Sequence, residues 1–177
     1  FYNQSPAGAV YPTPIIGMVG LISDLDYVTT SEFKSPGDLI FLLGTTKPEL
    51  GGSEYLKVVH GVEQGSPPEL DLELESKVQA ACREAVTAGI INSAHDCSEG
   101  GLAVALAESC IQSGLGAELD IASQLTGVEL LFAESQSRII VTISPDQEDK
   151  LIKIGQEQDI PLTKLGTVGG SRLQINQ

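Results

Sequence analysis

The stretch IINSAHDCSEGGLAVALAESCIQSG, residues 90–114, sets the fold class of this chain. Ile90–Ala94 has the apolar composition of a buried strand, HDCSEGG follows as a turn, and residues 102–110 carry apolar side chains at helical spacing. Gly114 is placed to end that helix. A strand that leads directly into a helix indicates a fold in which sheet and helices pack in one domain.

Apolar and β-branched segments outside this stretch predict the remaining sheet. Three of them are expected to be strands of one sheet: Ile15–Ile22, Leu39–Leu43 and Arg138–Ile143. Further helices are predicted after Ser53, across the amphipathic residues 69–89, and from a capping box at Ser144 to about Gln156. The element order shows no steady β–α–β alternation, which excludes a doubly wound dinucleotide fold. We expect an α+β domain with helices packed on a mixed sheet.

Composition excludes several classes of function. The 177 residues are 41% hydrophobic, which is enough for a core, and the net charge of −14 with only ten Lys and Arg argues against nucleic acid and anionic membrane surfaces. No apolar run approaches the ~20 residues of a membrane span. Three cysteines, without C-x-x-C spacing, argue against a disulfide framework and favour a reducing cytoplasm.

The turn HDCSEGG, residues 95–101, is the first candidate for chemistry. The first N–H groups of a helix lack intrahelical partners, so Gly100 and Gly101 would let a phosphate approach closely. Ser98 could cap the helix or donate to a phosphate oxygen, and Asp96 offers a carboxylate of the kind that holds magnesium beside phosphates. The alternative is a capped, densely packed turn with no ligand.

Two other polar turns are weaker candidates. Gly51-Gly52-Ser53-Glu54 also precedes a predicted helix, so it could hold an anion or simply cap that helix. Glu134-Ser135-Gln136-Ser137 lies between apolar runs, so it could bind a polar ligand or form a solvated turn. The two histidines, His60 and His95, are expected to play local structural roles. Neither a serine–histidine–acid triad nor a P-loop pattern is present.

Four motifs taken together resemble a known family. They are YNQSPAGAVYPTPIIGMVG, GGSEYLK, HDCSEGGLAVALAES and FAESQSR, in that order, and the resemblance that they carry extends over nearly all of the chain. The set is similar to the carboxyl-terminal part of the phosphoribosylformylglycinamidine synthases, in their small, separate-subunit form. The resemblance implies a three-layer α/β/α domain with a mixed sheet, partly ferredoxin-like, as in the carboxyl-terminal domain of aminoimidazole ribonucleotide synthetase. It assigns residues 1–14 to a tail of the preceding nucleotide-binding domain and residues 15–177 to this domain, and implies a fragment of a longer chain.

The resemblance also implies a reaction and its partners. Family members are ATP-dependent ligases of purine biosynthesis. Phosphoryl transfer activates the amide oxygen of formylglycinamide ribonucleotide, and ammonia from glutamine displaces phosphate to give formylglycinamidine ribonucleotide, ADP and phosphate. ATP and Mg²⁺ are the implied cofactors, and the implied partners are companion domains of the same chain, a glutaminase subunit and a small accessory subunit. The implied location is the cytoplasm, and the fragment alone is expected to be inactive.

Residue roles carry over at only a few positions. The auxiliary site of long-form family members implies that Asp96 binds magnesium and that Ser98 contacts a nucleotide, while phosphate contacts at Gly100 and Gly101 are expected from the helix start. Contact with substrate or ligand is implied for Glu134, Ser135 and Gln136, although the matching family pattern lies in the other repeat. Two alternatives stay open: a structural domain with a degenerate nucleotide site that supports assembly, and another member of the same ATP-binding superfamily.

Overall fold

The computed structural model describes residues 3–5, 8–10, 16–22 and 24–176. A short antiparallel hairpin, β1 (Asn3–Ser5) and β2 (Gly8–Val10), precedes the main body. The strands that follow are β3 (Leu39–Leu43), β4 (Ile91–Asp96), β5 (Ala117–Asp120), β6 (Ile139–Ile143), β7 (Leu162–Val168) and β8 (Leu173–Asn176). The helices are α1 (Glu54–His60), α2 (Leu72–Thr87), α3 (Gly101–Ser113), α4 (Gly127–Phe132) and α5 (Glu148–Glu157), with 3₁₀ turns at Leu25–Tyr27 and Pro145–Gln147.

Six strands form one mixed sheet in the order β4-β6-β3-β7-β5-β8. Neighbouring strands are antiparallel except β5 and β8, which run parallel. All five side chains of β3 are buried, because this strand lies inside the sheet and is covered on both faces. Its uninterrupted apolar run therefore matches its position.

Helices cover both faces of the sheet and create two cores. Leu102 and Leu106 of α3 and Leu130 of α4 pack with Ile40 and Ile140 on one face. On the other face, the core residues are Val78, Ala81 and Ala85 of α2, Leu151 and Ile154 of α5, and Phe41, Val141 and Ile143 of the sheet. Each fully buried Leu or Ile contributes roughly 1.5–3 kcal/mol. The expected α+β class, with three layers and a mixed sheet, is confirmed.

Local sequence signals position most of the helix starts. Ser53 caps α1 by accepting from the Leu56 N–H, as expected, and Gly61 ends that helix in a left-handed conformation. Asp71 caps α2 by accepting from the Glu73 and Leu74 N–H groups. The predicted strands Leu39–Leu43 and Arg138–Ile143 are confirmed, the second beginning one residue later at Ile139.

Two predictions about elements were wrong, and one helix was missed. Residues 16–22 form no strand and lie exposed, with Val19 and Leu21 fully accessible, whereas Ile15 lies outside the described residues. The sequence reasoning missed α4, whose capping box joins Thr126 and Glu129. Ser144 makes no capping bond, and the helix after it begins as a 3₁₀ turn. Within the described part of the chain, no helix is long and apolar enough to cross a membrane.

Candidate functional site

Two loops and one helix from distant parts of the chain surround a cleft of about 460 Å³. One loop joins β4 to α3, another joins α4 to β6, and the amino-terminal half of α2 forms the opposite wall. The lining residues are Glu75, Val78, Gln79, Asp96, Cys97, Ser98, Glu99, Glu134, Gln136, Ser137, Arg138 and Ile139. The structure therefore brings together two of the turns that the sequence predicted separately.

The HDCSEGG turn presents side chains to the cleft but keeps its glycine N–H groups occupied. Asp96, whose side chain is 73% exposed, accepts a hydrogen bond from the Ser98 hydroxyl. The Gly100 N–H donates to Glu134 Oε1 at 2.8 Å, and the Gly101 N–H donates to the Ser98 carbonyl at 3.0 Å. A phosphate could reach the Gly100 N–H only by displacing Glu134, so that contact stays a prediction.

Gly101 also meets a packing requirement. Its φ of +68° is left-handed, and a Cβ at this position would lie 2.5 Å from the Ala133 carbonyl oxygen and 3.0 Å from that of Leu131. Only glycine brings the start of α3 this close to the end of α4. Dense packing, the alternative to a phosphate contact, thus explains in part why residue 101 is a glycine.

The GGSE turn, residues 51–54, lies outside the lining of the cleft. A Cβ on Gly51 would lie 2.1 Å from the Ser66 carbonyl oxygen, and the Gly52 N–H donates to the Gln64 carbonyl at 2.9 Å. The Glu54 N–H donates to Glu134 Oε1 at 2.9 Å. These contacts explain the turn by capping and close packing.

The loop of residues 133–138, hereafter the ESQS loop, divides its polar groups between structure and cleft. Ser135 is 2% exposed, and its hydroxyl accepts from the Lys47 N–H at 3.0 Å and donates to the Lys47 carbonyl at 3.3 Å. Gln136 is exposed and lines the cleft. Ser137 also lines the cleft, but its hydroxyl oxygen is buried and has no hydrogen-bond partner within the described structure.

Arg138 organises the ESQS loop, and the sequence reasoning missed it. The residue is 3% exposed, and its guanidinium donates to the carbonyls of Ala133 and Ser135 at 2.7 and 2.8 Å and to the Thr46 hydroxyl at 2.9 Å. Burial lowers the pKa of the guanidinium from its usual value. A charged residue opening the strong strand pattern RIIVTI was the signal available in the sequence.

Cys97, beside Arg138 in the cleft lining, is an inert group at neutral pH. Burial raises the pKa of its thiol to about 11. Cys82, Cys97 and Cys110 are free. His95 has a local role, as expected, because its Nε2 lies 2.9 Å from Glu108 Oε2 and its Nδ1 lies 2.8 Å from the Asp96 carbonyl.

The cleft is acidic, which favours cations or cation-bound anions. The acidic residues Glu75, Asp96, Glu99 and Glu134 line the cleft together with one buried basic residue, Arg138. Nevertheless, the described residues contain no group of three or more His, Cys, Asp or Glu side chains that could hold a metal ion. The residues fit magnesium only if it is shared with phosphate oxygens, with Asp96 as the carboxylate ligand and the Ser98 hydroxyl as a polar contact.

Comparison with known proteins places this geometry in a family. Residues 35–176 match the model of the AIR synthase related protein, C-terminal domain. The chain belongs to this family. As a member of the AIR synthase related proteins, it is 49% identical over 175 residues to phosphoribosylformylglycinamidine synthase subunit PurL of Moorella thermoacetica, covering 99% of the chain and 24% of the relative. The chain thus spans about a quarter of the length of that relative.

Solved structures of the same family share the fold. T. maritima PurL complexed with FGAR superposes with a TM-score of 0.74 over 85% of this chain and 27% of that one, at 22% identity. T. maritima PurL complexed with ATP gives a TM-score of 0.65 over 85% of this chain and 25% of that one, also at 22% identity. At such identity the likeness shows the fold, and it agrees with the three-layer arrangement described above.

Proposed function

We propose that this chain is the carboxyl-terminal synthetase-type domain of a phosphoribosylformylglycinamidine synthase subunit, an ATP-dependent carbon–nitrogen ligase of purine biosynthesis. The observation that carries the proposal is the 49% identity to a PurL subunit over 99% of the chain. The intact enzyme would convert formylglycinamide ribonucleotide, ATP and glutamine-derived ammonia to formylglycinamidine ribonucleotide, ADP and phosphate. Residues 15–177 form the domain, residues 1–14 belong to the preceding one, and the protein works in the cytoplasm.

The cleft contributes part of a nucleotide site. Asp96 and Ser98 open onto it from the end of β4, and the exposed Gln136 lines it from the ESQS loop. When bound, magnesium would neutralise phosphate charge in this acidic surrounding, where nucleotide alone would be repelled. Asp96 would hold the metal and Ser98 the phosphates, while a companion domain of the same chain supplies the remaining ligands. A glutaminase subunit and a small accessory subunit complete the proposed complex.

A structural role is the second candidate, and a specific observation favours it. The Gly100 N–H is already bonded to Glu134, and Gly101 is required by packing against α4. The same turn could therefore exist in a domain whose nucleotide site has degenerated and which supports assembly only. Substitution of Gly100 or Gly101 would therefore not distinguish a nucleotide site from a structural role. Asp96 is the better test, because its carboxylate is exposed and no packing contact among the described residues requires it.

Activity is tested on the full-length protein. ADP release is measured with ATP, magnesium and ammonia, with and without formylglycinamide ribonucleotide. Release that depends on this ribonucleotide supports the proposed activity, and its absence in a folded protein refutes it.

The site is tested by Asp96→Asn against Asp120→Asn, the same change at the exposed end of β5 outside the cleft lining. Nucleotide bound to the purified full-length variants is measured after acid extraction, with thermal melts as the folding control. Asp96→Asn should lose most of the magnesium-dependent nucleotide, because the hard anionic ligand is gone, while Asp120→Asn retains it. Equal content and activity in wild type and both variants would favour the structural role.

A further inference from the structure

One carboxylate oxygen connects two loops that the chain separates widely. Glu134 Oε1 accepts from the Gly100 N–H at 2.8 Å and from the Glu54 N–H at 2.9 Å. These partners are 34 and 80 residues away in sequence. We infer that Glu134 is a positioning residue, which holds the start of α3, and with it Asp96 and Ser98, in the geometry that the ligand requires. The inference rests on the proposed nucleotide site.

The helix caps show why α3 depends on Glu134. Helices α1, α2 and α4 are each capped by the side chain of the residue just before the helix, namely Ser53, Asp71 and Thr126. At α3 the cap position is Gly100, which has no side chain, and no local side chain caps the helix. The Glu134 carboxylate accepts from the N–H of this cap residue, the bond that Glu129 makes to Thr126 in α4, but it does so from a distant loop. A carboxylate acceptor strengthens the bond and complements the helix dipole.

The loop that carries Glu134 is itself held on several sides. The Glu134 N–H donates to the Glu49 carbonyl at 3.3 Å, and the Ser135 hydroxyl is bonded to the Lys47 backbone. Arg138 binds the carbonyls on either side of Glu134, those of Ala133 and Ser135. A carboxylate on such a fixed support can set the position of a more weakly held turn.

Removal of the Glu134 carboxylate should therefore displace the HDCSEGG turn and leave the other residues that line the cleft in place. In Glu134→Ala, the Gly100 and Glu54 N–H groups lose their acceptor, so the turn that carries Asp96 can shift. Glu134→Gln retains an oxygen that can accept both bonds, although without charge. Glu134→Gln should then retain most of the nucleotide affinity that Glu134→Ala loses. If only the negative charge of Glu134 mattered, both variants would lose affinity equally.

The experiment uses the full-length protein and magnesium with AMPPCP as the probe, well below the unfolding temperature. Glu134→Ala should raise the dissociation constant about ten-fold, the order expected for loss of such bonds, and Glu134→Gln should stay within about three-fold of wild type. Glu129→Ala is the matched control. It breaks the capping box of the adjacent α4, so it should lower the melting temperature and leave the dissociation constant unchanged.

Hydrogen–deuterium exchange provides a readout that needs no ligand. Peptides containing Gly100 and Glu54 should exchange faster in Glu134→Ala than in Glu129→Ala, and Glu134→Gln should restore protection. Wild-type affinity in Glu134→Ala, or unchanged exchange at both peptides, overturns the inference. A wild type that binds no AMPPCP refutes the proposed site instead, and the exchange result then decides the role of Glu134 alone.

Discussion

Substitution of Gly101 by alanine should destabilise the protein through a clash that can be separated from backbone strain. Gly101 and Gly114 lie at the two ends of α3 with nearly equal φ values, +68° and +71°. An alanine in this left-handed conformation costs about 1–2 kcal/mol at either position, partly offset by reduced freedom of the unfolded chain. The two positions differ only in their surroundings, because the Gly114 Cβ would meet nothing within 4 Å.

The additional cost at Gly101 follows from the contacting atoms. Its Cβ would lie 2.5 Å from the Ala133 oxygen and 3.0 Å from the Leu131 oxygen, and both are backbone atoms that cannot rotate away. Such overpacking costs about 1–3 kcal/mol. Gly101→Ala should therefore be less stable than Gly114→Ala by about 2 kcal/mol, equivalent to about 4–8 °C in Tm for a chain of this size.

The assay is thermal unfolding followed by circular dichroism, with urea unfolding to compare the free energies. Gly101→Val should be worse still, since it adds a β-branch to the same contact. If Gly101→Ala and Gly114→Ala unfold at the same temperature, the close approach of α3 to α4 is not tight, and the packing explanation of Gly101 fails.

Three further outcomes are expected. Burial raises the pKa of Cys97 to about 11, so about one Cys97 thiol in a thousand is ionised at pH 8. Iodoacetamide should therefore modify Cys110 well before Cys97. Equal alkylation rates of the two cysteines, measured by mass spectrometry, would contradict the burial of Cys97. Arg138→Lys should lower the free energy of unfolding by about 2–4 kcal/mol, because an ammonium cannot make all three hydrogen bonds of the guanidinium to Ala133, Ser135 and Thr46. An unchanged free energy of unfolding in urea would disprove this. The exposed apolar residues 16–22 should promote self-association of the chain, and Val19→Asp should reduce it. Light scattering that shows a strict monomer at high concentration would count against this prediction.

Sequence reasoning predicted the fold well wherever burial leaves a local pattern. The run Leu39–Leu43 reads as a doubly covered strand and is one, and Ser53 marks the start of α1. The prediction failed for residues 16–22, because an apolar segment has the same composition whether or not a partner covers it. Six-residue α4 was missed because it is too short to show helical periodicity.

The candidate site was recognised in pieces and not as an arrangement. HDCSEGG and the ESQS loop each stand out by composition, but a bond between residues 34 positions apart leaves no local pattern, so the contact from Glu134 to Gly100 was not predicted. Arg138 was read as the first residue of a strand, since its three acceptors are backbone and hydroxyl groups rather than acidic side chains. The ligand roles of Asp96 and Ser98 remain predictions.

The central place of β3 in the sheet has a consequence for the order of folding. This strand pairs with Ile139–Ile143 and with residues 162–167, both of which leave the ribosome roughly a hundred residues or more after it. Until then its five apolar residues have no strand beside them, so the nascent chain carries an aggregation-prone segment. Pairings this distant in sequence also slow folding, because the loop between them must close first. The domain should therefore fold late in synthesis, and Leu39–Leu43 must be protected from aggregation until its partner strands have been made.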